Sequence, residues 1–335
     1  MKLEVFRALQ ESGLSVIDVG ARDGLHPMFS GEMAPLLHII GFEPDAAECA
    51  RLNVDSQSSN FRSVVFLPVG LGRNDGQRLL YLCRARGTSS FYNPNHPFLD
   101  RFPDASRYDV VESQPVTVRS LDSILADSEI QMPKHIDFIK IDTQGYELDI
   151  LYGARKTLCS QVVAVEVEVL FAKLYESQPV FRDVDAFLSD CGFTLFKLRR
   201  HEWVRRNYAN QPHLSAGQLV FGDALYVRDP LDPQVPWAPQ SAHQAEALVC
   251  LAILYDLHDF AMELTSSPPI AAMLDAERIS QYVLRRSREL NLPWSQVTSL
   301  PGLLKVGRAA LGRMRRFRRY EPYWGRGDGN FYSAV

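Results

Sequence analysis

The sequence predicts an α/β fold built on a mostly parallel sheet, and three observations carry that reading. Short apolar, β-branched runs such as SVIDVG, HIDFIKID and VVAVEVEV recur along the chain, with helical patterns between them. The first run ends in an acid and then Gly20 and Gly24, as a strand does when it leads bare backbone to a ligand. The 335 residues are 46% hydrophobic and 23% charged, enough to bury a large core and unlike a disordered chain.

Taken in order, Ser15 to Gly20 reads as a first buried strand and Leu37 to Pro44 as a second. Asp45 to Asn53 is a helix with an acid in its first turn, where the positive helix end favours an anion. Val64 to Gly72 is a third strand and Arg73 to Gln77 is turn chemistry. RLLYLCRA and VESQPVTVRS form an antiparallel excursion around the loop GTSSFYNPNHP. A short helix follows from Ser120 to Ala126, capped by the Ser120 hydroxyl. His135 to Asp142 is the fourth core strand, Glu147 to Leu158 an amphipathic helix, and Val162 to Val169 the fifth strand. Asp183 to Phe193 is a helix, TLFKL a sixth strand, and Gln218 to Asp229 the last. Pro230, Pro233, Pro236 and Pro239 then fix an extended linker, and residues 241–319 are helical in pattern.

Charge and cysteine usage narrow the function classes. Net charge is −4, which argues against a basic nucleic-acid binder. The distribution is uneven, because the residues from Pro301 onward hold eight Lys and Arg against two acids. Within that tail, Leu303 to Tyr320 has a basic amphipathic pattern, read either as docked on the acidic core or as a contact for an anionic or membrane surface. The five cysteines are scattered without a CxxC pair, excluding a disulfide scaffold and a cysteine-rich zinc site. Glu4 interrupts the opening residues and no apolar run approaches about 18 residues, so a cytoplasmic protein is expected. HEWV and QPHL lack paired ligands, so no metal site is expected.

The chemistry concentrates in VIDVGARDG. About twenty residues on, Glu43 closes the second strand, where a carboxylate can accept ribose hydroxyls. A nucleoside-containing cofactor follows. A nicotinamide site normally reads G-x-G-x-x-G, but Arg22 stands at its second glycine, and Asp18 and Asp23 would repel a pyrophosphate. They suit the cationic tail of S-adenosylmethionine. Candidate bases for an acceptor are Asp142 and Glu168 at the carboxyl ends of core strands, with Glu166 sharing the pleat direction of Glu168. His26 reads as a solvent-facing loop residue or a pocket residue, and His96 lies in a proline-flanked loop over the acceptor side.

On VIDVGARDG, IIGFEPD, TVRSLDSIL, DFIKIDTQGYELDILYGA, EVLFAKLYESQPVF and GQLVFGDALYVRD, the chain resembles the FkbM-type S-adenosylmethionine-dependent methyltransferases from Ser15 to Arg228. The resemblance implies a Rossmann-like class I methyltransferase fold with a seven-stranded, mostly parallel sheet, plus a helical C-terminal extension. Residues 1–229 would be the methyltransferase domain, 230–240 a proline-rich linker and 241–335 a helical C-terminal region. By the same resemblance Asp18, Gly20, Ala21 and Gly24 would line the methionine part of the cofactor, and Arg22 replaces the usual Asn. Glu43 would hold the ribose, Pro44, Gly70 and Leu71 would lie near the adenine, and Asp142 beside the transferred methyl group. The implied activity is O-methylation of a sugar, glycan or secondary-metabolite hydroxyl. Two other readings stand beside it, a nicotinamide-dependent oxidoreductase and a non-catalytic module that binds cofactor or glycan.

Overall fold

The computed structural model describes residues 3–22, 24–25, 29, 31–130, 132–209, 211, 217–290, 319–321 and 325–328. His26, Asp23 and most of the basic tail lie outside these residues. The first half of the chain gives α1 (Arg7–Ser12), β1 (Leu14–Val19), β2 (Leu37–Phe42), α2 (Ala46–Asp55) and β3 (Ser63–Leu67). An excursion follows, made of β4 (Gly70–Leu71), β5 (Gly76–Cys83), α3 (His96–Leu99) and β6 (Val110–Arg119). The chain then returns through α4 (Leu121–Ala126) to β7 (Phe138–Ile141), α5 (Glu147–Gly153), α6 (Arg155–Ser160) and β8 (Ala164–Leu170). After α7 (Phe181–Asp190) come β9 (Thr194–Trp203) and β10 (Gln218–Val227). The last elements are α8 (Ala242–Leu254), α9 (His258–Ser266), α10 (Pro268–Ala271), α11 (Ala276–Leu290), β11 (Arg319–Glu321) and β12 (Gly325–Gly327).

The core is the expected seven-stranded sheet, in the order β3-β2-β1-β7-β8-β10-β9. Strands β3, β2, β1, β7 and β8 pair in parallel, while β10 runs antiparallel to both β8 and β9. Every residue of β1 and β8 is buried, as for strands covered on both faces. The hairpin β11–β12 extends the sheet beyond β9. Arg319 and Tyr320 are therefore strand residues, where the basic tail pattern predicts helix. The third expected strand also splits. Pro68 lacks a donor for the ladder, and the chain beyond it enters a second, three-stranded sheet in the order β4-β6-β5. The helix expected from Glu147 to Leu158 breaks after Gly153, whose backbone sits so close to the Gly72 carbonyl that an added Cβ would lie 1.9 Å from that oxygen.

Pleat alternation sends the strands' side chains to two cores. Ile17, Ile139, Val165 and Tyr226 share one row and pack under α5 to α7. Val16, Phe138, Ala164 and Val227 form the opposite row, in one cluster with α1, α8, α9 and α11. Residues 242–290 thus do not stand apart behind the proline linker. They cover the sheet. Helix α8, with the run AEALVCLAIL, is apolar on nearly all sides and buried along its length, as a core helix must be. Its polar residues are mortised into the fold. Glu246 accepts from the Leu9 N–H at 3.0 Å, serving the start of α1, which has no side-chain cap of its own. His243 bridges Asp137 and Ser12, each at 2.8 Å.

Leu248→Ala is expected to cost about 2–5 kcal/mol in urea unfolding, the range for a fully buried leucine. A chain ended at Gln240 is expected to lose its cooperative transition. If that shortened chain melts as the full one does, the C-terminal helices are a separate module.

Candidate active site

A cleft opens at the carboxyl edge of the sheet. Its floor is formed by the exits of β1 (Val19, Gly20), β2 (Phe42, Glu43) and β7 (Asp142, Thr143, Gln144), and Gly70 and Leu71 close one side. The excursion supplies the facing wall through Arg86, Gly87, Ser89, Ser90 and Phe91. Of the residues singled out in the sequence, Gly20, Arg22, Glu43, Pro44, Gly70, Leu71 and Asp142 therefore meet around one cavity. Gly20 has φ +80°, and a Cβ there would lie 1.9 Å from the Asp142 carbonyl oxygen, so only glycine lets the two strand exits close together.

The other nominated residues are not among the described residues lining that cavity. Asp18 alternates to the opposite face from Val19, is 1% exposed and meets Lys140 Nζ at 3.6 Å. Ala21 packs in a small core with Cys49, Leu52 and Phe66, and Gly24 has open space beside it. Glu166 is buried and accepts the Tyr255 hydroxyl proton, which ties the sheet to the end of α8. His96 begins α3 with its ring 3.7 Å from Asp100 and is not on the cleft wall. Among the described residues no group of three or more His, Cys, Asp and Glu is placed to hold a metal.

The ribose-side carboxylate is held firmly. Glu43 Oε1 accepts the Asp45 N–H at 2.9 Å and faces Arg22 Nη2 at 3.4 Å. Arg22 also donates to Asp45 Oδ2 at 2.9 Å, so it braces two acids where the family resemblance leads one to expect Asn. Burial raises the Glu43 carboxyl above its ordinary pKa, and the Asp45 N–H and Arg22 pull it back.

The turn after β7 is the most tightly built part of the site. Glu147, 3% exposed, accepts on Oε1 from the Thr143 N–H (2.9 Å), the Gly145 N–H (3.0 Å) and the Thr143 hydroxyl (3.2 Å). Burial pushes its carboxyl up to about 7 against those donors. Gln144 adopts φ +59°, and its Nε2 donates to Asp142 Oδ1 at 3.1 Å and Glu168 Oε2 at 3.2 Å. One amide thus bridges the two nominated bases. Ser90 donates to the Gln144 carbonyl oxygen at 2.7 Å. The Tyr175 hydroxyl donates to the Thr88 carbonyl oxygen at 2.8 Å and lies 3.2 Å from Gln144 Oε1. Gln178 in turn accepts the Tyr175 N–H at 2.9 Å. Glu168 sits behind this amide, and burial followed by the nearby Asp142 and Glu147 charges holds its carboxyl well above the ordinary range. Lys140 is 3.9 Å from Asp142; burial works to lower its pKa, but Asp18 and Asp142 outweigh it and keep the ammonium charged.

Sequence reasoning missed Gln144, Glu147, Tyr175, Gln178 and Ser90. The first four lie inside the quoted blocks DFIKIDTQGYELDILYGA and EVLFAKLYESQPVF. Their signal was polar residues crowding a glycine at a strand exit, whereas Ser90 sits in a loop with no pattern.

Among known proteins, a family model described as the methyltransferase FkbM domain matches residues 18–195, a little over half of the chain. Methyltransferase 1 of Beauveria bassiana (strain ARSEF 2860) is 24% identical over 195 residues, covering 56% of this chain and 75% of that protein. The solved methyltransferase FkbM from Methylobacillus flagellatus KT is 18% identical with a TM-score of 0.37 over 63% of this chain. This chain covers only 44% of that protein's length. Magnesium protoporphyrin IX methyltransferase from Synechocystis PCC 6803, solved with bound SAM, is 11% identical with a TM-score of 0.32, covering 68% of this chain and 77% of that one.

The buried acids give a pH test. Burial pushes Glu166 up to about 7 from 4.5, so between those values the folded chain holds a proton that the unfolded chain has released. Its contribution to stability is therefore fully present below about 4.5 and is lost as pH rises through about 7, on the order of 3 kcal/mol. Glu166→Gln keeps an acceptor for Tyr255 and removes that titration. Its melting temperature relative to the unmodified chain is expected to rise from pH 5 to pH 8 (roughly the window of the shift), and a flat difference would show that Glu166 does not titrate there.

Proposed function

The chain belongs to the FkbM methyltransferase family, whose members depend on S-adenosylmethionine, and from that premise we propose that it methylates a hydroxyl oxygen of a sugar, glycan or secondary-metabolite scaffold. The observation that carries this reading is the placement of Asp142. It stands on the cleft wall at the end of β7, with its carboxylate fixed by Gln144 and Lys140.

The residues present fit the donor. Glu43 uses Oε1 for internal contacts, which leaves Oε2 for a ribose hydroxyl, and Pro44, Gly70 and Leu71 offer an apolar slot for a base. Glu43 and Asp142 line the same cleft, Glu43 with its charge partly met by Arg22, which leaves Asp142 to face the cationic part of the donor. When bound, S-adenosylmethionine supplies a methyl group already activated by its sulfonium.

The chain then has two tasks, aligning the acceptor and taking its proton. Alignment is worth up to about 7–11 kcal/mol in well-oriented cases. Ser89 and Phe91 line the same cleft as Asp142 and offer a hydroxyl and an aromatic face to a polyhydroxylated acceptor, while Ser90 is spent on the Gln144 carbonyl. Asp142 accepts the hydroxyl proton, a role worth about 10²–10⁴ in rate. Glu168 acts through Gln144 as a positioning residue, since the amide that holds Asp142 is itself anchored on Glu168 and Tyr175.

Calorimetry with S-adenosylhomocysteine is expected to show a loss of about tenfold or more in Glu43→Ala, one charge-assisted contact being worth about 1.5–3 kcal/mol. Unchanged affinity would remove Glu43 from the site. Asp142→Asn is expected to lower turnover by about 10²-fold or more with cofactor affinity nearly kept. Equal losses in both would make Asp142 a cofactor ligand instead of the base.

A further inference from the structure

At the same carboxyl edge, beyond Tyr175, three arginines gather around one aromatic residue. Arg101 and Arg205 carry their guanidinium carbons 5.8 and 4.7 Å from the Phe102 ring centre. Arg206 Nε donates to the Phe102 carbonyl oxygen at 3.1 Å, and its backbone N–H donates to the Arg101 carbonyl oxygen at 2.9 Å. Arg101 and Arg205 also converge on a single neutral acceptor, Gln218 Oε1, at 3.5 and 2.5 Å. Among the described residues none of the three meets a carboxylate within 4.0 Å; the nearby Asp100 turns to His96. Arg205 Nη1 is buried without a hydrogen-bond partner among the described residues. Burial, then repulsion from Arg101, lowers the Arg205 pKa, so the arrangement costs free energy as it stands.

On the strength of the methyltransferase reading, we infer that Arg101, Arg205 and Arg206 form a subsite for a phosphoryl group carried by the methyl acceptor. Paired guanidinium forks match phosphate oxygens, and aromatic stacking fixes their planes before the ligand arrives. The cluster is tied to the turn after β7 through packed side chains. Trp203 pairs with Gln218 at the end of β9, and its ring lies 5.3 Å from Phe102 and 6.4 Å from Tyr108. Tyr108 lies 6.0 Å from Tyr175, whose hydroxyl touches Gln144. A buried aromatic core, with Phe102, Tyr108, Trp203 and Tyr175 each no more than 3% exposed, therefore separates the arginines from the amide beside the proposed base and fixes their positions relative to each other. A sugar phosphate, a nucleoside diphosphate sugar and a lipid-linked diphosphate all carry the group such a subsite would hold.

Calorimetry with inorganic pyrophosphate, on the full chain saturated with S-adenosylhomocysteine, tests this. Saturable binding is expected, weakening as NaCl rises and falling tenfold or more in R101M/R205M, with S-adenosylhomocysteine affinity unchanged. If the double variant fails to bind S-adenosylhomocysteine, the exposed Arg206→Met is measured in its place. Tighter binding of uridine diphosphate than of pyrophosphate would point to a nucleotide-linked acceptor, and equal binding to a simple phosphate ester or a lipid diphosphate. Absent pyrophosphate binding, or equal affinity in the variants, overturns the subsite. So does loss of anionic-vesicle binding in the variants without any pyrophosphate binding, which would make the patch a membrane contact. A wild-type chain that binds no S-adenosylhomocysteine would instead strike the methyltransferase reading itself.

Discussion

The site depends on one buried carboxylate. Glu147 gathers two backbone N–H groups and a hydroxyl onto a single oxygen, which folds residues 143–147 into a turn too tight for ordinary backbone at Gln144 and Gly145. Burying that carboxyl is unfavourable, as its raised pKa shows, and the hydrogen bonds offset much of the cost. Once the turn is set, Gln144 can reach Asp142 and Glu168 together, and the excursion can lock on through Ser90 and Tyr175. Phe91 and Tyr92 add their rings to Tyr146 at 4.8 and 5.5 Å, which packs the loop GTSSFYNPNHP against the turn.

A second constraint acts from the opposite face. The row Asp18, Lys140 and Glu166 crosses the sheet in register, and burying three ionisable groups demands a partner for each. Lys140 supplies the cation for both Asp18 and Asp142, while Tyr255 closes the row at Glu166 from the end of α8. The C-terminal helices therefore reach the underside of the active edge as well as filling the core. This links residues far apart in sequence to the electrostatics around Asp142.

Much of the fold was legible because the buried strands β1, β7 and β8 read as short β-branched runs, even though Asp18, Lys140, Glu166 and Glu168 interrupt them. Glu43 and Gly20 were legible for a related reason: an acid or a glycine at a strand exit has few purely structural uses. The direction of Asp18 was not legible because the strand ends within a residue of it, and the pleat, which decides that direction, cannot be counted from an uncertain end. Helix α8 was readable as a helix, but nothing local says which sheet face an all-apolar helix will cover. Long-range polar contacts such as Tyr175 to Thr88 and Glu246 to α1 leave no periodic trace, since each joins residues from different elements.

The account stands or falls on where the donor lies relative to Asp142. A crystal structure with S-adenosylhomocysteine decides it. The ribose is expected on Glu43, the adenine against Pro44 and Leu71, and the sulfur facing the Asp142 carboxylate with the Gln144 bridge to Glu168 intact. A nucleoside bound away from Glu43, or a sulfur turned from Asp142, would contradict the assignment of this cleft.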